Sequence, residues 1–498
     1  MNPHLDFTPV TLSYVAALRG VRPRQPGEKF AYAEVAGSDP DRLICLAASN
    51  PEGRFFGLMA RPADKADGER LATARQVSNV TFLEGCLEDY LTRAGKGDST
   101  IPPLHYLCVD ERQAALPASE RAALFALAEK LLLPGGLFGY RYRAYDQEDG
   151  SLRLLVQAFA PEMDAAQAQE FLQELKKLGP AYFGSHPKEA AKLEQAIASG
   201  VPDQFFADYE AGEIRSGSLN TLLGLHPRGF SYAGDADIGM NYVERAAPAS
   251  AHQLIIDCST SPLYEPIKDF ALNRQKRCDI WCRQPAPTTA NLSELFGGFV
   301  YGITLARADV PKQVKSENGA INLDTPLYTK LVDFMTLMPL SIGDFLAHPE
   351  GKAYSPADVV GAVQILVACG LARPMRGHYQ STTQANIAQP RLAGSFNQYL
   401  DKTTVTGAKI WLASPMAGGA VTVSARDALV MQALNRAGLA NSVSALLPEL
   451  ERLAKDPASA ARVMDAGAPS AEMATSMIKD SVSQSIVQWY AYGLLAAA

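Results

Sequence analysis

Residues 30–40 read FAYAEVAGSDP. Phe30–Val35 is a short strand-like run that feeds an acidic turn, Glu34-Val35-Ala36-Gly37-Ser38-Asp39, and Pro40 opens a helical stretch. A strand, a tight turn and a helix in that order form the first unit of a doubly wound α/β fold, whose glycine-rich first turn lets bare backbone approach a ligand. A working turn reads acidic–apolar–Gly–x–Gly–x–Gly. Here Ala36, Ser38 and Pro40 stand in glycine positions, and Gly37 is out of phase. A Cβ at Ala36 or Ser38 narrows the approach and disfavours positive φ. Pro40 suits the first helical position but removes a backbone N–H.

The alternation continues outward from this turn. Pro40–Ala48 has one apolar helical face, Arg54–Arg61 is a second strand, Lys65–Val77 is helical, and Val80–Leu83 is a third strand. Leu104–Val109 is a fourth strand, Ser119–Leu133 a helix stopped by Pro134-Gly135-Gly136, and Leu137–Tyr142 a fifth strand. This spacing predicts a Rossmann-like parallel sheet covered on both faces and joined by right-handed crossovers. Pro161–Leu178 and Pro187–Gly200 are amphipathic and helical, a hairpin or insertion whose apolar stripe suits either internal packing or a dimer interface. Gln253–Cys258 reads as a strand and Tyr264–Cys282 as a helix. Ser355-Pro356 caps a helix that runs to Gly370, in a winged-helix-like arrangement with Ser341–His348 before it.

With 498 residues the chain exceeds a single core. The expected division is 1–154 Rossmann-like, 155–215 helical insertion, 216–300 middle domain, 301–380 winged-helix-like module, and 381–498 mainly helical. A net charge of -7 argues against a nucleic-acid surface, so the winged-helix-like unit reads as a protein-contact module. Seven scattered cysteines include Cys278 and Cys282 at helical spacing, but no second pair follows, so no metal site is expected. No signal peptide or membrane span is evident, and a cytoplasmic, reduced, soluble protein is the expectation.

Several segments together resemble bacterial S-adenosylmethionine-dependent methyltransferases with a methyltransferase regulatory domain, the group that includes outer-membrane-protein lysine methyltransferases. NPEGRFFGL (Asn50–Leu58), SNVTFLEG (Ser78–Gly85), LHYLCVDERQAALPASER (Leu104–Arg121) and LLPGGLFGYRYRAY (Leu132–Tyr145) are similar to its second to fifth strands. YEPIKDFALNRQKR (Tyr264–Arg277) and LSIGDFLAH (Leu340–His348) resemble later segments. The resemblance implies S-adenosylmethionine as cofactor, with Glu34, Gly37, Asp39 and Glu84 as the residues left to hold it. It also implies that the second strand should end in an acid for the ribose hydroxyls, where this chain has Met59.

Asp110, Glu111 and Tyr142 are the candidates for an acceptor channel. The plainer reading makes Asp110 and Glu111 solvated loop acids, and Tyr140, Tyr142 and Tyr145 core side chains. Arg141 and Arg143 suit an anion or, more simply, surface salt bridges. His105 reads as a satisfied core histidine. The resemblance with its departures implies a non-catalytic scaffold, as homodimer or as partner to an active relative. The alternatives are a divergent active protein (lysine) methyltransferase, or a site for another small ligand in the same crevice.

Overall fold

The computed structural model describes residues 7–22, 24, 27–35, 40–110, 116–145, 149–210, 217–286, 292–303, 305, 307–316, 319–376, 390–402, 409–437 and 485–497. Seven strands form one sheet: β1 (Phe30–Val35), β2 (Gly53–Met59), β3 (Val80–Glu84), β4 (Leu104–Asp110), β5 (Leu132–Arg143), β6 (Phe230–Asp235) and β7 (Lys276–Arg283). Their order is β3-β2-β1-β4-β5-β7-β6. β1 to β5 run parallel to one another, and β7 runs antiparallel to β5 and β6. The order reverses between β1 and β4, so the crevice of this doubly wound α/β fold lies at their C-terminal ends.

Helices cover both faces. α1 (Pro9–Leu18), α2 (Pro40–Ala48) and α3 (Pro62–Ala74) pack on the face that carries Tyr32, Tyr106 and Cys108. α4 (Leu87–Gly95), α5 (Ala118–Leu131) and α11 (Gly217–Leu225) pack on the face that carries Ala33, Phe138 and Tyr140. α1 is apolar all round: Leu12 and Val15 meet the sheet, while Val10 and Tyr14 meet the C-terminal half. A helix of that character is a buried layer, not a surface one.

The helical insertion does not present an apolar stripe to solvent. It consists of α6 (Gly150–Phe159), α7 (Ala165–Leu178), α8 (Pro180–Ser185), α9 (Pro187–Ser199) and α10 (Asp203–Glu210). Leu172, Leu175 and Leu178 of α7 share one core with Ala251, Ile255 and Phe270 of the following segment. That segment holds α12 (Val243–Ala246), α13 (Ala249–Asp257) and α14 (Tyr264–Ala271).

Three local expectations are corrected. Gln253–Cys258 lies in and just after α13 and is not a strand. Its adjacent isoleucines part company, Ile255 buried and Ile256 48% exposed, as a helix requires. A short apolar run carries too little periodicity to separate the two states. Tyr264–Cys282 is not one helix: α14 stops at Ala271, Asn273 takes φ +46°, and β7 follows. Cys278 and Cys282 therefore lie on a strand. β5 begins at Leu132 and runs through Pro134-Gly135-Gly136, absorbing them as an irregularity in its pairing with β4.

The C-terminal half is built on β8 (Phe299–Ile303), the centre of a three-stranded antiparallel sheet between β11 (Leu340–Ser341) and β12 (Ala372–Arg376). A hairpin of β9 (Gln313–Ser316) and β10 (Gly319–Asn322) lies beside α15 (Leu292–Phe296) and α16 (Pro326–Leu337) in the chain, followed by α17 (Ile342–Ala347) and α18 (Pro356–Ala368). Ser355 caps α18 by accepting from the Asp358 N–H at 3.1 Å, and Gly370 leaves it at φ +70°, as the residues led one to expect. The last core contains β13 (Pro390–Leu392) paired with β16 (Leu495–Ala497), and β14 (Lys409–Ser414) paired with β15 (Gly419–Ser424). α19 (Gly394–Gln398) and α20 (Ala425–Ala437) complete it. Phe396, Ala413 and Ala420 reach the core around Leu43 and Leu46 of α2, joining the C-terminal part to the sheet domain. Among the described residues, no helix is long and apolar enough to cross a membrane.

Candidate functional site

The C-terminal ends of β1, β2 and β4 are where a doubly wound sheet presents chemistry. Glu34, the penultimate residue of β1, is buried and forms an ion pair with Arg42 of α2, itself buried. Burial alone lowers the Arg42 pKa, but Glu34 outweighs it and the guanidinium stays firmly charged. Asp110 ends β4. Its side chain is 7% exposed, and Arg141 Nη1 donates to its Oδ2 at 2.9 Å. Asp110 is therefore not a solvated loop acid, and Arg141 is not a surface cation. Register is the reason: β4 and β5 place Asp110 opposite Arg141, beneath Phe7, whose ring lies 5.6 Å from the guanidinium. Arg42 also feels the charge of Asp110, so Glu34, Arg42, Asp110 and Arg141 form one buried patch of alternating sign.

β2 ends in Met59, which is fully buried. Glu84 ends β3 beside it, exposed, two strands from β1. Gly37, Asp39 and Glu111 lie outside the described residues. His105, half-buried, accepts a hydrogen bond from the Ala31 N–H at 3.0 Å, and desolvation lowers its pKa, favouring the neutral imidazole. Among the described residues, no group of three His, Cys, Asp or Glu side chains is placed to hold a metal ion.

Tyr142 belongs to the opposite face of the sheet. It is 4% exposed, and its hydroxyl donates to Asp279 Oδ2 at 2.5 Å. Tyr140 and Tyr145 are buried as well. Asp279 opens onto a charge network that sequence reasoning did not anticipate. Arg277 is 0% exposed and donates to Asp269 Oδ1 at 2.7 Å, Glu265 Oε2 at 2.7 Å and Asp279 Oδ1 at 3.0 Å. Lys268 adds a second cation to Glu265 at 3.1 Å, and Ser218 donates to Asp269 at 3.1 Å. Burial pushes the Asp279 carboxyl up to about 6 against the pull of Arg277. The alternation of a strand would have revealed the pair, since Arg277 and Asp279 share one face at spacing two; a helical reading hides it. Arg42 had a comparable signal, an arginine four residues before Leu46 on the apolar stripe of α2.

Glu265 reports on this network. Burial raises its pKa, but Arg277 and Lys268 outweigh that and hold it at about 2, below the ordinary 4.5. A carboxylate depressed on folding stabilises fully above its unfolded pKa, and that contribution is lost as the pH falls through the folded value. Glu265→Gln is therefore expected to be less stable than wild type near neutrality, and to lose less stability between about pH 4.5 and 2. Urea unfolding at a series of pH values checks this; parallel acid limbs contradict it.

Comparison with known proteins agrees with this architecture. A family model described as a predicted methyltransferase regulatory domain matches residues 224–283, which span β6, α12 to α14 and β7. A search of curated proteins gave no significant match. The solved structure of PKMT2 from Rickettsia typhi superposes with a TM-score of 0.65 at 13% identity, covering 99% of this chain and 98% of that one. The structure of PKMT2 from Rickettsia typhi in complex with AdoHcy gives a TM-score of 0.63 at 13% identity, covering 99% of both chains. The chain thus shares the architecture of these structures over nearly its whole length, with a Rossmann-like α/β sheet at its core, and resembles S-adenosylmethionine-dependent methyltransferases that carry a methyltransferase regulatory domain.

Proposed function

We propose that this protein is a non-catalytic member of the methyltransferase fold, a scaffold or partner in protein methylation that acts through its helical and C-terminal modules. It works as a homodimer or beside an active relative. The observation that carries this reading is Met59. A ribose diol needs a charged acceptor at the end of β2, and a buried thioether is a weak one. Each hydroxyl left unmet against a buried partner costs about 1–3 kcal/mol. Glu34 and Asp110, at the ends of β1 and β4, are engaged by arginines, and Glu84 beside Met59 is exposed. On this reading Met59 and the arginine-bound Glu34 and Asp110 are a poor fit for S-adenosylmethionine. All seven cysteines are free thiols, which supports a reducing, cytoplasmic setting.

A second reading, a divergent active protein lysine methyltransferase, draws on the full-length match to a structure solved with AdoHcy. In it Glu34, Gly37, Asp39 and Glu84 hold the cofactor, and Asp110 and Tyr142 border the acceptor. Thermal unfolding with S-adenosylmethionine or S-adenosylhomocysteine separates the two. A ligand at a hundred times its dissociation constant adds about 2.7 kcal/mol to stability. The scaffold reading expects no shift at millimolar ligand; a clear upward shift overturns it in favour of the enzyme.

A further inference from the structure

The charge network around Arg277 does not balance. Among the described residues, the ion pairs join Lys268, Arg274 and Arg277 to Asp235, Glu265, Asp269 and Asp279, three cations to four carboxylates. None of these side chains is more than 16% exposed. Water screens an unmatched carboxylate poorly in such a place, and one carboxyl of the group is then driven to take up a proton.

Geometry selects Asp279 as the seat of that proton. The pairing of β6 with β7 sets it directly opposite Asp235, and like charges so placed repel. Asp235 is held by Arg274 at 2.6 Å and by the Asp237 N–H at 2.8 Å. Glu265 has two cations, and Asp269 has Arg277 at 2.7 Å and the Ser218 hydroxyl. Asp279 shares Arg277 with both. The groups that also face it are the Tyr142 hydroxyl of β5, at 2.5 Å, and Tyr232 of β6, whose oxygen accepts from Arg277 at 3.1 Å. Asp237 lies beyond Asp235 and feels its charge and that of Arg274. Burial raises the Asp279 carboxyl above its ordinary range against the pull of Arg277, and Asp235 adds to the rise.

We propose that this cluster is a proton switch that sets how firmly the matched regulatory segment is held to the sheet. With Asp279 protonated, three carboxylates face three cations, and the carboxyl keeps its contact with Tyr142. With Asp279 ionised, two like charges stand opposite each other across β6 and β7, and the seat of β7 on β5 and α14 loosens. Acidification therefore tightens the segment. The sign follows from linkage: a carboxyl raised on folding binds its proton more tightly in the native state. Stability is then lost as the pH climbs from the unfolded value, about 4, to the folded one, about 6. The switch uses no group of the crevice beyond Glu34, so its fate is separate from the scaffold reading.

Asp279→Asn supplies a permanent stand-in for the protonated carboxyl, since its amide can still accept from Arg277 and donate to the Tyr142 oxygen. Hydrogen exchange of the full chain, read by mass spectrometry, compares this variant with wild type. At about pH 8, peptides covering β7 and α14 should exchange faster in wild type, by up to about a hundredfold, the ratio of folded to unfolded proton affinity. At about pH 5 the two should match, because wild type is then protonated as well. Infrared difference spectra of wild type should show a carboxyl titrating near pH 6 that is missing in Asp279→Asn and moves to lower pH in Asp235→Asn. The proposal is overturned by equal exchange at both pH values, by the absence of that titrating carboxyl, by a titration that Asp235→Asn leaves unmoved, or by failure of Asp279→Asn to fold.

Discussion

Arg277→Met is expected to lower the stability of the protein by about 3–5 kcal/mol, the usual consequence of removing one partner from a buried ionic group. The guanidinium is wholly enclosed and faces Glu265, Asp269 and Asp279, each from a different turn or strand position. Without it, Lys268 reaches only Glu265, and Asp269 and Asp279 lose their direct ion pair, with Arg274, paired to Asp235, the other cation that Asp269 feels. Arg277→Lys should recover only part of the loss, because an ammonium is a point charge and cannot fork towards three carboxylates. Equilibrium unfolding in urea measures both variants. Adding Asp279→Asn to Arg277→Met should return some of the deficit by removing one stranded charge. A loss under about 1 kcal/mol for Arg277→Met would mean that water already reaches the cluster. The network spans residues within the matched regulatory segment, so it also explains physically why that segment stays fixed to β5 through Tyr142.

Phe270→Ala should cost about 3–5 kcal/mol, as truncation of a fully buried aromatic side chain does. The Phe270 ring is 0% exposed, lies 4.9 Å from the Tyr182 ring and 5.7 Å from that of Phe183, and sits against the backbone of Gly179. It joins the helical insertion to α14. Thermal unfolding with size-exclusion chromatography checks the result. A large loss of stability in a species of unchanged size supports internal packing of the insertion. Little loss of stability with a change of oligomer would restore the interface reading for that stripe.

Much of the sheet was legible because its strands are buried on both faces and punctuated by turns. Tyr32 and Ala33 are both fully buried although they point to opposite sides of β1, so the strand reads as a continuous apolar run. The turn at 36–39 lies outside the described residues, so its reading rests on the sequence alone. β7 was not legible, because eight residues mixing cysteine, arginine and aspartate with isoleucine and tryptophan carry no hydrophobic alternation when both faces are buried. The short α13 failed similarly, its apolar residues too few to show a period. Glu34, Asp110 and Tyr142 lie at or near the ends of their strands. Their partners could not be named, since Arg42 comes from a helix, Arg141 from the neighbouring strand and Asp279 from a strand more than a hundred positions away.

The chain alone determined that strands and helices alternate through its first third, and it carries Ala36, Ser38 and Pro40 in the first turn and Met59 near the end of the second strand. Those properties reside in local spacing and in the chemistry of single side chains. Tertiary structure alone decided that Glu34 and Asp110 are met by arginines, that Arg277 gathers three carboxylates, and that the insertion buries its apolar stripe. Coulombic and packing partners are chosen by strand register and by the angle at which elements meet, and neither is written in the distance between residues along the chain.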